Sequence, residues 1–231
     1  MAVAHRTGAR AHNRQVPHSP LSLFDLKQQS ANPAVSALPA PHTLRIVADS
    51  TDQVAWHRAR KQGITATDVA KLSTPKSIVN AAHDKMHGTN FTGNSYTDHG
   101  RAREPIIAAW VLKNHGIEPS TNLFRSLSHP RHLATPDGVG VATNGDLHLA
   151  EIKTTSKPWR SIPRNYLRQI WWQQYVLGAD RTLLVWEEHL RFIPVAPVPE
   201  CRWIERDEDQ IAILVGLANA LIDNLDQQAR R

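Results

Sequence analysis

The chain has 231 residues, enough for one substantial core, and its apolar (41%) and charged (21%) fractions are those of an ordinary soluble protein. No run is long and apolar enough to span a bilayer, so no membrane partner is expected; the single cysteine, Cys201, excludes an internal disulfide, a cysteine-held iron–sulfur cluster and a multi-cysteine zinc site, which makes a cytoplasmic setting the expectation. A net charge of +6 suggests nucleic acid, yet four of those charges fall in residues 1–45, where Arg6, Arg10, Arg14, Lys27 and Arg45 face only Asp25.

Residues 1–42 read as a disordered basic tail, with Pro17, Pro20, Pro33, Pro39 and Pro41 among Ser, Ala, His and Arg and no sustained period. They hold no apolar stretch of the secretory kind. The prolines also argue against the amphipathic helix of an organelle transit peptide.

Residues 43–231 read as one domain. "DSTDQVAWHRAR" predicts a helix capped by Ser50, Thr51 or Asp52, and "TATDVAKL" and "PKSIVNAAHDKM" two more, with Pro75 in a first turn. "HGRAREPIIAAWVLKNHG" predicts a longer helix that Pro105 starts or kinks, with Ile106, Ile107, Trp110 and Val111 as its buried side and Gly116 as its end. The period then shortens to that of strands in "TNLFRSLS", "HLATPDGVGVA" and "DLHLAEIKTT", and later in "TLLVWEEHL" and "RFIPVAPV". Between them "IPRNYLRQIWWQQYVLG" is helical, with Tyr166, Ile170, Gln173 and Val176 or Leu177 at turn spacing. An acidic-started amphipathic helix, "ERDEDQIAILVGLANALIDNLDQQ", closes the chain. The fold class is α/β or α+β, with a mostly antiparallel meander expected.

One stretch carries chemistry. "ATPDGVGVATNGDLHLAEIKTT" places Asp137 before the Asn144-Gly145 turn and Glu151 and Lys153 after it. A two-residue turn sets Asp137 opposite Ile152. A three-residue loop, with Gly145 at a left-handed bulge position, sets it opposite Glu151. Lys153 shares the face of Glu151 in either case. Two facing carboxylates repel unless a hard cation lies between them, and a neighbouring lysine can hold water or neutralise charge on phosphorus. That is the composition of a phosphodiester hydrolase site, although a "PD" followed by "[DE]xK" arises by chance in roughly one chain of this length in twenty. The basic run Lys153, Lys157, Arg160, Arg164, Arg168 contains no acid and suits phosphate contact. No histidine spacing supports zinc; His129 and His132 read as structural or solvated, and Trp171 and Trp172 as packing.

The order of segments resembles the PD-(D/E)XK nuclease superfamily, and within it the YqaJ-like viral recombinase family typified by phage lambda exonuclease. "WHRARKQGITATDVAKL", "HGRAREPIIAAW", the "TPDG…EIK" core and "YLRQIWWQQYVLG" carry the likeness from about Trp56 to about Val185. The resemblance implies a restriction-endonuclease-like core, a mixed central sheet flanked by helices. It implies a Mg²⁺-dependent deoxyribonuclease, with Mn²⁺ as the alternative ion, acting as a 5′→3′ exonuclease on linear duplex DNA in a bacterial or phage-infected cell. Asp137, Glu151, Glu104 and the Ile152 carbonyl would hold metal, Lys153 would position water, and Gln169 would lie beside them. Arg60, Thr67 and Thr135 would hold the 5′-phosphate, an arginine fork with hydroxyls suiting a phosphate dianion; Arg164 and Arg168, from the basic run, are the further expected substrate contacts. A single-strand annealing recombinase as partner and a homotrimer are further implications. The family's second glutamine in the tyrosine helix is absent here, which leaves Gln173 without an assigned role. An endonuclease of the same superfamily, an inactive DNA-end-binding protein and an interaction protein without an active site are the competing readings.

Overall fold

The computed structural model describes residues 41–88 and 93–230. The tail expected over 1–42 therefore lies, but for its last two residues, outside the described residues.

A 3-10 turn at Thr43–Arg45 leads into strand β1 (Ile46–Asp49). Three short helices follow, each started by a side chain that satisfies free backbone N–H groups. Asp52 caps α1 (Gln53–Gln62), accepting from Ala55 N at 2.9 Å. Thr65 and Asp68 make a reciprocal capping box on α2 (Ala66–Lys71), and Thr74 and Ser77 make another on α3 (Pro75–His87), where Pro75 takes the first position.

Helix α4 (Ser95–His115) differs from its expected form. It starts four residues before His99 because the Asn94 carboxamide caps Tyr96 and Thr97, and it carries Pro105 in its interior rather than starting there. It ends as expected at Gly116, whose φ of 67° is left-handed. Ile107, Ala108 and Val111 form its buried stripe; Ile106 is exposed, since 107, 108 and 111 already fill the arc that meets the sheet.

The sheet strands are β2 (Glu118–Pro119), β3 (Asn122–Arg125), β4 (Leu133–Ala134), β5 (Gly138–Val141), β6 (Leu147–Thr155), β7 (Arg181–Leu190), β8 (Ile193–Pro194) and β9 (Glu200–Glu205). Helix α5 (Arg164–Leu177) connects β6 to β7, and α6 (Glu208–Ala229) closes the chain. A small sheet has the order β1-β3-β4; the larger runs β2-β5-β6-β7-β8, with β9 on β7. The meander is less antiparallel than expected: β6 and β7 pair in parallel, because a strand–helix–strand connection brings the second strand back in the same direction. The result is a mixed central sheet flanked by helices. "RFIPVAPV" yields only the two-residue β8, since prolines at 194, 197 and 199 lack the N–H a ladder needs.

The β5–β6 hairpin settles its own register. Gly138 pairs with Ala150 and Val141 with Leu147, Ala142 N donates to Asp146 O, and Gly145 takes φ 93°. The loop is therefore the three-residue one, Thr143-Asn144-Gly145.

Strand alternation on β6 divides the interior. Leu149 joins Trp172, Val176, Phe124, Val69 and Leu221 in the cluster beneath α5 and α6. Ala150 and Ile152 face the other way, onto Ile107, Val111, Leu183 and Val185 under α4. Each fully buried large side chain contributes about 1.5–3 kcal/mol, so the register that sorts these residues is strongly held. Glu151 and Lys153 fall on the Leu149 face, facing α5.

Candidate active site

Two segments meet at the site. The first is the joint Thr135-Pro136-Asp137, where the chain leaves the small sheet at β4 and enters the large one at β5. The second is the middle of β6. Extending the hairpin register one step sets Asp137 across from Glu151, but the ladder changes there. Asp137 N donates to Ala150 O at 3.1 Å, and Asp137 Oδ2 accepts the Ile152 N–H at 2.7 Å. The aspartate side chain thus takes the place of main chain at the end of the ladder, which fixes its carboxylate against β6.

Glu151 is buried, 1% exposed, in a position where an isolated carboxylate would be costly. Both of its oxygens are engaged. Lys153 Nζ rests on Oε1, and Gln173 Nε2 of α5 donates to Oε2 at 2.7 Å. Lys153 also stands 5.4 Å above the Tyr166 ring, itself part of a stack through Trp159 to Trp186. Burial works against the Lys153 charge, but Glu151 and Asp137 outweigh it and hold the ammonium above its usual range.

Asp137 feels the opposite balance. Burial and the neighbouring charges of Glu151 and Glu104 push its carboxyl well above the usual carboxylate range, against the pull of Lys153 and the Ile152 N–H. Glu104, one turn before Ile107 on α4, is also raised, by burial and by Glu151, with Lys153 opposing. Its helix is tied to the sheet by a bidentate ion pair between its neighbour Arg103 and buried Glu187 of β7, at 2.8 and 2.6 Å.

Glu104 lines two cavities. One, of about 530 Å³, includes Lys153, Thr154, Thr155, Ser156, Tyr96 and Arg101. The other, of about 270 Å³, includes Asp137, Thr135, Pro136, Trp56 and Ser120. Beside the second, the Arg60 guanidinium lies 4.3 Å over the Trp56 ring and donates to Thr135 Oγ1 at 3.2 Å. Arg60 and Thr135 are therefore brought together. Thr67 is exposed in the first turn of α2 and makes no side-chain hydrogen bond among the described residues.

The remaining expected residues stand further out. Gln169 is half-exposed on α5 and makes no side-chain hydrogen bond among the described residues; Gln173, one turn later, is the glutamine that reaches Glu151. Arg164 is exposed and donates to Gln210 at 3.3 Å, and Arg168 is half-exposed without a hydrogen-bond partner among the described residues. His132 and Trp172 are structural: His132 Nδ1 meets Tyr175 Oη at 3.0 Å, and Trp172 Nε1 donates to Leu133 O at 2.9 Å. Turn spacing with Tyr166, Ile170 and Val176 was the sequence signal for Gln173.

Among the described residues no three His, Cys, Asp or Glu side chains converge as a ready-made metal cluster. The donors that do meet are two carboxylates, with the Ile152 carbonyl on the same strand and Glu104 close enough to feel their charge. Hard anionic oxygens of this kind suit Mg²⁺ or Mn²⁺ rather than zinc, and a cation would offset the burial and the repulsion that together raise Asp137.

Comparison with known proteins bears on the family and the fold. A sequence model of the YqaJ-like viral recombinase domain matches residues 55–180. No curated protein matches the chain. Among solved structures, the alkaline exonuclease LHK-Exo from Laribacter hongkongensis superposes with a TM-score of 0.59 at 23% identity, covering 75% of this chain and 92% of that one. Its complex with dAMP gives a TM-score of 0.60 at 24% identity, with the same coverage. A phage related exonuclease from Haemophilus somnus 129PT gives 0.54 at 14% identity, covering 72% of this chain and 96% of that one. At these identities the likeness shows a shared nuclease fold.

Proposed function

The chain belongs to the YqaJ-like viral recombinase domain family, and we propose that it is a divalent-metal-dependent deoxyribonuclease that digests linear duplex DNA from its 5′ ends. The observation that carries this reading is the meeting of Asp137 and Glu151 at the end of the β5–β6 ladder, with Lys153 on the same face. Mg²⁺ or Mn²⁺ held by these two carboxylates, with the Ile152 carbonyl and Glu104 as further oxygens, would activate a water and neutralise charge on the scissile phosphate. Lys153, kept protonated by its acidic neighbours, supplies positive charge beside that phosphate.

An exonuclease also needs a means of holding an end. Arg60, flattened on Trp56 and bonded to Thr135, presents a guanidinium fork at the margin of the Asp137 cavity. A terminal phosphate dianion suits that fork and hydroxyl. The strand beyond the cleaved bond would pass Glu104 into the larger cavity, where Thr154, Thr155, Ser156 and Arg101 offer donors. Action in phage-type recombination, with an annealing partner and a ring of three copies, belongs to the same proposal and rests on the family alone.

The test is a time course on linear duplex DNA in Mg²⁺, with 5′ and 3′ labels followed separately and a covalently closed circle in parallel. Early loss of the 5′ label with intact circles is the expected result. Cut circles would move the assignment to an endonuclease using the same residues. No cleavage of either substrate, in Mg²⁺ or Mn²⁺, would leave a DNA-end-binding protein.

A further inference from the structure

Helix α5 buries two consecutive glutamines, and they do different things. Gln173 and Gln174 are both fully buried. Successive helical residues point about 100° apart, so the two amides cannot share a target. Gln174 turns to the fold: its Nε2 donates to Thr182 Oγ1 at 3.1 Å and to Ile204 O at 2.9 Å, tying the crossover helix to β7 and β9. Gln173 turns to Glu151 and makes its one side-chain hydrogen bond among the described residues there, at 2.7 Å. The orientation of its amide is fixed, because only the N–H end can face a carboxylate. Its Oε1 is left buried without a donor among the described residues, and the same is true of Gln174. An unmet buried acceptor costs about 1–3 kcal/mol, and among the described residues the only hydrogen bond of the Gln173 side chain is the one to Glu151.

We propose that Gln173 is a positioning residue that fixes the Glu151 carboxylate for metal binding. This rests on the nuclease reading and extends it to a residue that the sequence left without a role. The choice of an amide follows from charge. Asp137, Glu151 and Lys153 together carry a net charge of −1 when ionised, which attracts a cation. An arginine or lysine at 173 would hold the same oxygen but cancel that charge. A glutamine locks the rotamer and leaves the charge intact. It occupies one lone pair of Oε2, as Lys153 occupies one of Oε1, so each oxygen keeps a second lone pair. Gln169, one turn earlier and half-exposed, makes no such contact.

The test compares wild type, Gln173→Met and Gln174→Met, each first checked by melting. Mn²⁺ binding is titrated without DNA, by loss of the free-ion electron paramagnetic resonance signal, and steady-state cleavage is measured separately. Gln173→Met fills the same space without a donor. It is expected to weaken Mn²⁺ binding about 10–100-fold, the usual effect of losing a group that orients a metal ligand, and to lower kcat with KM for DNA unchanged. Gln174→Met is expected to lower the melting temperature and bind Mn²⁺ as wild type does. Gln173→Asn, which keeps the amide but withdraws it by one methylene, carries the same test if the apolar variant does not fold. Wild-type Mn²⁺ binding in the Gln173 variants would overturn the role assigned to Gln173 and leave the nuclease reading standing. A wild-type protein that neither binds Mn²⁺ nor cleaves DNA would overturn both.

Discussion

Lys153 and Glu151 are two residues apart on β6, and strand alternation puts them on one face as a buried ion pair. The pair is asymmetric: the glutamate is 1% exposed and the lysine side chain 19%. Removing the cation therefore strands a charge that water cannot reach. Lys153→Ala is expected to destabilise the fold by about 3–5 kcal/mol, read as a fall of roughly 10 °C or more in melting temperature. Cleavage should slow in the same variant under conditions where it remains folded. Unchanged turnover there would remove Lys153 from the chemistry.

Asp137 should behave in the opposite sense. Its ionised form is disfavoured by burial and by the charges of Glu151 and Glu104. Asp137→Asn keeps an oxygen for the Ile152 N–H while removing that repulsion. The variant is expected to melt above wild type and to lose cleavage by about a thousandfold or more, the several kcal/mol a metal site contributes. DNA binding should persist, measurable by gel shift. A lower melting temperature would mean that Asp137 is a structural acid.

Arg60 is assigned to the end of the DNA rather than to the reaction. Losing a charge-assisted hydrogen bond of about 1.5–3 kcal/mol corresponds to about 10–150-fold. Arg60→Ala should weaken action on 5′-phosphorylated ends by that factor and leave 5′-hydroxyl ends nearly unchanged. Competition between the two substrates in one tube provides the comparison. An equal loss on both would assign Arg60 elsewhere.

His132 gives the fold an acid limit. It is 1% exposed and hydrogen-bonded to Tyr175, with Asn219 beside it, while His129 stacked on it and Arg131 next to it disfavour a second positive charge. Burial first, and then these charges, hold its pKa down to about 4. The unfolded chain binds this proton below about pH 6.5 and the folded protein does not, so stability falls as pH drops from that value towards 4. The full effect is about 3 kcal/mol, and above pH 6.5 it is absent. Urea midpoints across this range should show a shallower acid limb for His132→Gln than for wild type. Parallel curves would mean that His132 accepts a proton in the folded state.

Much of this arrangement was legible because local rules and chemistry coincide. Asp52, Thr65 and Thr74 mark their helix starts, and Gly145 suits the three-residue loop, one of the two the sequence allows, that brings Asp137 to β6 beside Glu151 and Ile152. The strand β9 was not legible: in Glu200–Glu205 only Ile204 is buried, and charged residues suited to a sheet edge resemble a loop. Strand β1 has no buried residue at all. The start of α4 was missed because its cap, Asn94, precedes a run of polar residues with no apolar period. Gln173 was missed as a partner of Glu151 because glutamine on a helix is ordinarily a surface residue. Only the three-dimensional return of α5 across β6 reveals what it faces.

The joint between the two sheets has a consequence for the products. Thr135 and Asp137 are separated by Pro136 alone, a reach of about 7 Å at most. If Thr135 helps hold the end of a strand and Asp137 marks where it is cut, their separation acts as a ruler. That span is on the scale of one sugar-phosphate repeat, and on the proposed reading release of single nucleotides is the expected outcome. On the proposed reading the step length would be set by a covalent link, stiffened by a proline, and a residue inserted between the two is expected to alter the size of the fragment rather than the speed of its release.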